Sequence, residues 1–216
     1  MSKLGCSLAN AAAWIVARAV FRIDARDLDK IPMEGPYILV SNHVSALELP
    51  PLRVLMNPRF VRTLAKVETW DKKLLGWVLS QWEAIPIKRG ESDMAALRSS
   101  LQVLKDGGIL GIMPEGTRSG NGQLGRGNPG VTILALKSGC PIVPMAFWGV
   151  EKTKTNIKKL RRTDFHLRAG DPFTLEPPEG KTTHEDRQKM ADTVMQHIAD
   201  LLPEEYHGVY GSSDNA

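Results

Sequence analysis

Two residues whose side chains can carry acid–base chemistry, His43 and Glu48, stand five positions apart in the sequence. A carboxylate beside an imidazole fixes its tautomer and stabilises the imidazolium, which makes the histidine a general base near neutral pH. Positions i and i+5 point about 140° apart on one helix and lie about 16 Å apart on one strand, so only a folded loop can join them. Because such pairs also arise by chance, this one predicts a site only together with other features.

A second group of polar residues, Pro-Glu-Gly-Thr-Arg-Ser, runs from Pro114 to Ser119. Arg118 offers a planar fork for phosphate or carboxylate, and Thr117 supplies a hydroxyl beside it. Glu115 can bind a hydroxyl or hold Arg118. A turn in which Glu115 and Arg118 only neutralise each other is the structural alternative. A third, basic group runs from Lys88 to Gly90.

These groups follow predicted strands in a chain where strands and helices alternate. Apolar, β-rich runs predict strands at Tyr37 to Ser41, Ala84 to Ile87, Ile109 to Met113, Pro141 to Trp148 and Phe165 to Arg168. Periodicity and capping residues predict helices that begin at about Leu49, Lys72, Ser92 and Val131 and at a capping box of Thr182 and Glu185. The alternation predicts a single α/β domain, with a central, mostly parallel sheet covered by helices. Ligand groups in such folds gather at the carboxyl ends of the strands.

Composition places the chain among ordinary globular proteins. Its 216 residues suit one domain, and 42% hydrophobic and 24% charged residues exclude a disordered chain, a collagen-like repeat and a polytopic membrane protein. Two cysteines, Cys6 and Cys140, are too few for a disulfide framework or a zinc ribbon and indicate a reducing cytoplasm.

The N-terminal segment is predicted to be an amphipathic helix. Leu4 to Ile23 approaches the roughly 20 residues that span a bilayer, but Arg18 and Arg22 would each cost about 2.5 to 3.5 kcal/mol inside it. No cleavage site of a signal peptide follows. A helix packed on the core and a helix at a membrane interface both fit the pattern. The predicted organisation is this helix (1–26), one domain (27–203) and a frayed tail (204–216).

The positive charge is concentrated in one segment. The chain has a formal net charge of +4, and residues 151–168 contain seven basic and two acidic side chains, a local charge of +5. Such a run is most often a solvated face, but it also attracts phosphate groups, nucleic acid or an anionic membrane surface.

Four blocks resemble, in order, those of the 1-acyl-glycerol-3-phosphate acyltransferases, within the wider glycerolipid acyltransferase superfamily. They are N-H-x-S-x-x-E at Asn42 to Glu48, A-I-P-I-K-R at Ala84 to Arg89, P-E-G-T-R-S at Pro114 to Ser119, and P-I-V-P at Pro141 to Pro144. The likeness runs from Tyr37 to Gly149. The third block with an upstream N-H-x-S is a specific combination.

The resemblance implies transfer of a fatty acyl group from acyl-CoA or acyl carrier protein to the free hydroxyl of a lysophospholipid, with lysophosphatidate as the preferred acceptor. His43 would take the hydroxyl proton, Glu48 would orient the imidazole, and the alkoxide would attack the thioester without an acyl-enzyme. Arg89 and Arg118 would hold the acceptor phosphate. Other residues of the third block would lie near the acceptor or the developing oxyanion: Glu115, Gly116 and Thr117.

The resemblance also implies the partners and the location. They are the lysophospholipid, the thioester donor and the surface of a membrane, with no nucleic acid, no metal and no cofactor. The protein is expected at the cytoplasmic face of the membrane, as a peripheral or monotopic protein.

Two of the four blocks depart from the family's pattern. Glu48 stands where aspartate is usual, so His43 must sit slightly differently. Glu83 stands where the second block usually begins with glycine, and Lys88 stands where an acidic or amide residue is common. A carboxylate beside the phosphate site would change which acceptor fits.

Three other classes of function use some of the same residues. A serine hydrolase using Ser45 and His43 lacks a G-x-S-x-G motif. A zinc enzyme lacks an H-E-x-x-H pattern and a cysteine cluster. A catalytically silent membrane-binding module, in which the N-terminal helix and the basic run are the function, would be separated only by an assay.

Overall fold

The computed structural model describes residues 3–88, 93–178 and 180–211. Its centre is a sheet of seven strands: β1 (Phe21–Arg26), β2 (Tyr37–Ser41), β3 (Val61–Lys66), β4 (Ile85–Ile87), β5 (Ile109–Ile112), β6 (Ile142–Trp148) and β7 (Thr163–Ala169). Their order across the sheet is β1-β7-β6-β2-β5-β3-β4. All neighbouring strands are parallel except β6 and β7. The predicted α/β class with a mostly parallel sheet is confirmed.

Within the described residues, seven α-helices pack around this sheet. They are α1 (Lys3–Val20), α2 (Leu49–Met56), α3 (Lys73–Gln81), α4 (Met94–Lys105), α5 (Gly130–Ser138), α6 (Thr153–Lys158) and α7 (His184–Ala199). Ile38 and Val40 of β2 pack with α4, α5 and α7, whereas Tyr37 and Leu39 pack with α2. Because β2 is buried on both faces, its sequence is a continuous apolar run.

Two strands were not predicted, and one of them changes the expected domain boundary. The N-terminal helix ends at Val20, and the next residues form β1, which pairs with β7. Residues 21–26 therefore belong to the sheet and not to a separate N-terminal helix. β3 was missed because its side chains are only half-buried and two of its six are basic.

Two helix starts lie one residue later than predicted. Asp93 caps α4, because its side chain accepts hydrogen bonds from the N–H groups of Ala95 and Ala96, while Ser92 lies outside the described residues. Thr183 caps α7 in a capping box with Asp186, so Thr182 and Glu185 do not fill those roles.

The part of the C-terminal tail that the structure describes, residues 204–211, is packed and not frayed. Tyr206 is buried, and its carbonyl accepts the N–H of Leu124 at 2.9 Å. Tyr210 lies beside α7, where its hydroxyl donates to Asp192 at 2.9 Å. Aromatic side chains that find buried partners hold this segment to the domain.

The helix α1 packs through small residues and exposes large ones. Gly5, Ala9, Ala13 and Ala17 recur at every fourth position and are buried against α2 and α3. The exposed side of the helix carries five large apolar side chains, Leu4, Leu8, Trp14, Ile15 and Val16. The helix is thus packed on the domain and also presents an apolar surface to the outside. Among the described residues, no helix is both long and apolar enough to cross a membrane.

Candidate active site

The loop between β2 and α2 brings His43 and Glu48 into contact. The His43 Nδ1 and Glu48 Oε1 atoms lie 2.5 Å apart, and the two residues are 6% and 0% exposed. The folded loop predicted from their spacing is therefore confirmed. A side chain nitrogen of a buried histidine, paired with a fully buried carboxylate, is the arrangement that holds an imidazole in one orientation.

The loop folds in this way because the Glu48 carboxylate organises its backbone. Glu48 Oε2 accepts the backbone N–H groups of Val44 and Ser45 at 3.1 and 2.6 Å. The Ser45 hydroxyl accepts the N–H of Leu47 at 3.1 Å, which completes a single 3-10 turn before α2. Three hydrogen bonds to one carboxylate offset the cost of burying its charge.

Asn42 anchors the start of this loop, a role that sequence analysis did not assign. Its side chain amide donates to the Phe147 carbonyl at 2.7 Å, and its oxygen accepts the Phe147 N–H at 3.0 Å. The side chain thus continues the pairing of β2 with β6 past the end of the strand. A polar residue directly after an apolar strand was the signal that could have identified it.

Glu115 joins the loop after β5 to the loop after β2. Its Oε1 atom accepts the backbone N–H of His43 at 2.7 Å, and its Oε2 atom accepts the N–H of Gly125 at 2.9 Å. The Ser119 N–H donates to the His43 carbonyl at 2.8 Å, so His43 is held on both backbone groups. Burial raises the pKa of the Glu115 carboxyl, and the two N–H groups oppose that shift.

The Glu115 carboxylate therefore contacts backbone amides and not the Arg118 guanidinium. The alternative of a turn neutralised by that pair does not describe this part of the structure. Thr117 and Arg118 are both exposed on the loop, and Gly116 adopts a left-handed conformation with φ of 66° in the turn that presents them. Arg118 is thus placed at the surface beside the loop of His43.

The one described residue of the third basic group, Lys88, lies farther along the same edge. The strand β4 is separated from β5 by β3, and the parallel strands end at one edge of the sheet. Lys88 is exposed after β4. Arg89 lies outside the described residues, so its predicted role has no structural counterpart here.

Glu83 occupies its unusual position beside a cation, Arg62. It ends α3 with φ of 51°, the left-handed conformation that favours glycine and that explains why glycine is expected at this point. Its carboxylate pairs with the guanidinium of Arg62. The expected influence of this carboxylate on the phosphate site is therefore reduced by a neighbouring cation.

The packed C-terminal segment supports the loop that carries Gly125. Leu124 donates its N–H to Tyr206 as described above, and the Gly127 N–H donates to the Tyr210 hydroxyl at 2.9 Å. The Tyr206 hydroxyl donates to Glu151 at 2.9 Å, and burial with this carboxylate raises the pKa of Tyr206. Sequence analysis missed these contacts, although two tyrosines in a supposed tail were a signal.

Two observations concern the residues named for the serine hydrolase and the zinc enzyme. The Ser45 hydroxyl accepts the backbone N–H of Leu47. The Nδ1 atom of His43 is hydrogen-bonded to Glu48. Within the three described ranges, no group of three or more His, Cys, Asp or Glu side chains is arranged to hold a metal ion.

Several curated relatives of this chain share one enzyme name. A 1-acyl-sn-glycerol-3-phosphate acyltransferase of Bacillus subtilis is 27% identical over 174 residues, which are 80% of this chain and 84% of that protein. A chloroplastic enzyme of the same name from Brassica napus is 30% identical over 135 residues, or 61% of this chain. The matched region spans only 39% of the length of the Brassica protein.

A solved structure has a similar fold. The crystal structure of the 1-acyl-sn-glycerophosphate (LPA) acyltransferase PlsC from Thermotoga maritima superposes with a TM-score of 0.66 and 23% identity, covering 88% of this chain and 76% of that one. The family model described as Acyltransferase matches residues 22–148, which is more than half of the chain and includes His43, Glu48 and the loop of Glu115. The chain belongs to the acyltransferase family.

Proposed function

We propose that the protein transfers a fatty acyl group from a thioester to the free hydroxyl of lysophosphatidate, which gives phosphatidate. The observation that carries the proposal is the contact between His43 and the buried Glu48 in a loop at the carboxyl edge of the sheet. The names of the relatives from Bacillus subtilis and Brassica napus support the choice of acceptor.

The proposed chemistry uses the second nitrogen of His43. Glu48 accepts the Nδ1–H, so Nε2 keeps a lone pair that takes the proton of the acceptor hydroxyl. The acceptor oxygen attacks the thioester carbonyl, and a new ester bond forms as the carbon–sulfur bond breaks. The imidazolium, stabilised by Glu48, then returns its proton to the leaving thiolate. No acyl-enzyme is needed.

The acceptor phosphate is assigned to the basic residues of the same edge. Arg118 can form two parallel charge-assisted hydrogen bonds with a phosphate, and the hydroxyl of Thr117 lies next to it in the chain. Arg89, which follows β4, is proposed as the second cation. Gly116 keeps the turn open for a close approach of the acceptor.

Glu115 is proposed as a positioning residue and not as a ligand of the substrate. Both of its oxygens hold backbone amides, one of them on His43 itself. Its role is to fix the position of His43 relative to the loop that carries Arg118. The proposed reaction needs neither a metal nor a cofactor, and acyl-CoA or acyl carrier protein serves as the donor substrate.

The protein is proposed to act at the cytoplasmic face of a membrane, as a peripheral or monotopic protein. The apolar outer side of α1, with Leu4, Leu8 and Ile15 exposed, supports this location. The acceptor itself is a lipid, so contact with the membrane also brings the site to its substrate.

A panel assay tests the proposed function. The purified protein is mixed with acyl-CoA or acyl carrier protein donors and a set of acceptors: lysophosphatidate, other lysophospholipids and a monoacylglycerol. We expect phosphatidate by mass spectrometry, with thiol release that depends on lysophosphatidate. Faster transfer to another lysophospholipid would replace the acceptor, and no transfer from any donor would instead support a catalytically silent membrane-binding module.

A further inference from the structure

An exposed leucine ends the helix α6 in a conformation that favours glycine. Leu160 has φ of 51° and is 96% exposed. Its N–H donates to the Ile157 carbonyl at 3.0 Å, and the Arg161 N–H donates to the Asn156 carbonyl at 2.9 Å. These two bonds form a Schellman helix end, in which the position of Leu160 is usually glycine because a Cβ atom disfavours the left-handed conformation.

Among the described residues, no packing compensates for the conformation of this leucine. Glu83 ends α3 in the same kind of turn, but its carboxylate pairs with Arg62. Leu160 buries almost none of its side chain, so it gains neither packing nor a partner that would offset the backbone strain. The Leu160 side chain is therefore available to contact a surface outside the domain.

Hydrogen bonds fix the segment that carries Leu160. The Asn156 side chain donates to the buried Thr163 hydroxyl at 3.1 Å, and the Thr153 hydroxyl donates to the Val150 carbonyl at 2.6 Å. Arg162 donates to the carbonyl of Phe21, where α1 passes into β1. The segment therefore holds its shape and lies beside the C-terminal end of α1.

Exposed cations surround this leucine. We call residues 157–162 the cationic tip; it contains Ile157, which is 47% exposed, and Leu160. The exposed basic residues of the tip, of α6 and of the position before α6 are Lys152, Lys154, Lys158, Lys159, Arg161 and Arg162. No acidic residue occurs between positions 152 and 162. A shallow depression of about 570 Å³ lies between Arg22, Asn156, Leu160, Arg161, Arg162 and Asp164.

The cationic tip lies at the same edge of the sheet as the candidate active site. The strand β7 runs antiparallel to β6, with His166 opposite Trp148, so the residues before β7 lie at the carboxyl ends of β6 and β2. His43 follows β2 at that edge. A surface that contacts the tip and the end of α1 would therefore lie at the same edge of the sheet as the loop of His43.

We infer that the cationic tip is a second membrane contact, specific for an anionic lipid surface. Leu160 and Ile157 enter the interface, and the surrounding lysines and arginines bind phosphate head groups. Charge complementarity selects anionic lipids, while the apolar pair distinguishes a bilayer from a soluble polyanion. The inference rests on the proposed function only for its choice of a lipid partner, since binding requires no catalysis.

Vesicle flotation with three variants of the full chain tests the inference, using phosphatidylcholine with and without phosphatidylglycerol. Leu160→Gly should leave the melting temperature unchanged or raise it, and should weaken binding to the anionic vesicles about tenfold. Lys158→Glu with Lys159→Glu should weaken the same binding about tenfold or more. The matched control is Lys105→Glu with Lys137→Glu, an equal change of charge at exposed ends of α4 and α5, on the opposite edge of the sheet.

Three outcomes would overturn the inference. The first is unchanged binding of Leu160→Gly, the second is an equal loss in the control, and the third is tighter binding of a DNA duplex than of anionic vesicles. Transfer to a soluble short-chain lysophosphatidate should stay unchanged in Leu160→Gly. A wild-type protein that shows binding dependent on Leu160 but no transfer to any acceptor would contradict the proposed function and leave the membrane contact standing.

Discussion

The carboxylate of Glu115 accepts the backbone N–H of His43 at 2.7 Å, across 72 positions of sequence. The second oxygen of the same carboxylate accepts the N–H of Gly125, so one side chain fixes two loops at the carboxyl edge of the sheet. Because His43 is the proposed base, the position of its ring depends on this bond as well as on Glu48.

We predict that Glu115→Gln lowers kcat about tenfold and leaves KM for lysophosphatidate nearly unchanged. The amide keeps the shape of the side chain, but it offers one oxygen where two backbone N–H groups need acceptors. The free energy of unfolding should fall by about 1 to 3 kcal/mol. Steady-state kinetics and chemical denaturation measure both effects. A variant that raises KM for the acceptor at unchanged kcat would instead make Glu115 a ligand of the substrate.

Glu48 gives a second prediction, because it stands where aspartate is expected. Glu48→Gln should reduce turnover by roughly 10² or more, since the imidazolium loses its charged partner. Glu48→Asp should also lose activity, because the loop is built around the longer side chain and its three hydrogen bonds. Thiol release at saturating acceptor measures turnover. Full activity in both variants would show that Glu48 has no part in the reaction.

Arg118 is predicted to act on the acceptor and not on the donor. Charge-assisted hydrogen bonds contribute about 1.5 to 3 kcal/mol, so Arg118→Ala should lower kcat/KM for lysophosphatidate by roughly 10- to 100-fold. The matched control is Arg98→Ala, an exposed arginine on α4. Transfer to a monoacylglycerol, which lacks the phosphate, should change little. An equal loss with that acceptor would assign Arg118 a structural role.

The outer side of α1 is predicted to bind membranes through its apolar residues. The double variant Leu8→Ser, Ile15→Ser should weaken vesicle binding about tenfold. Binding of the wild type should persist in part at high salt, because salt screens only the charges. Met33→Ser, an exposed methionine outside α1, is the control. Removal of residues 1–26 is a poor test, because it would also delete β1 from the sheet. Unchanged flotation of the double variant would show that α1 serves only to pack on the domain.

The fully buried strands were predictable from sequence, and two of the incompletely buried ones, β1 and β3, were not. β2 and β6 are continuous apolar runs because both of their faces are covered. β1 and β3 escaped prediction because each carries charged residues and is incompletely buried. Their pairing depends on partners far along the chain.

In the candidate site, too, one feature was predictable from sequence and others were not. The loop that joins His43 to Glu48 was predictable, because two positions five apart meet only in a turn. The role of Glu115 was not, because its partners are backbone N–H groups that have no signature in sequence. The bond between Leu124 and Tyr206 also joins two backbone groups, so only the presence of the tyrosine itself, and not its partner, was a signal in the sequence.

The most direct test of the proposed mechanism is the thiol released from acyl-CoA by His43→Ala in the presence of lysophosphatidate. The His43 variant should retain the fold, as judged by its melting temperature, and should turn over roughly 10² to 10⁴ times more slowly than the wild type. His184→Ala, an exposed histidine at the start of α7, should keep wild-type turnover. Thiol release from a folded His43→Ala protein at the wild-type rate would contradict the assignment of His43 as the general base.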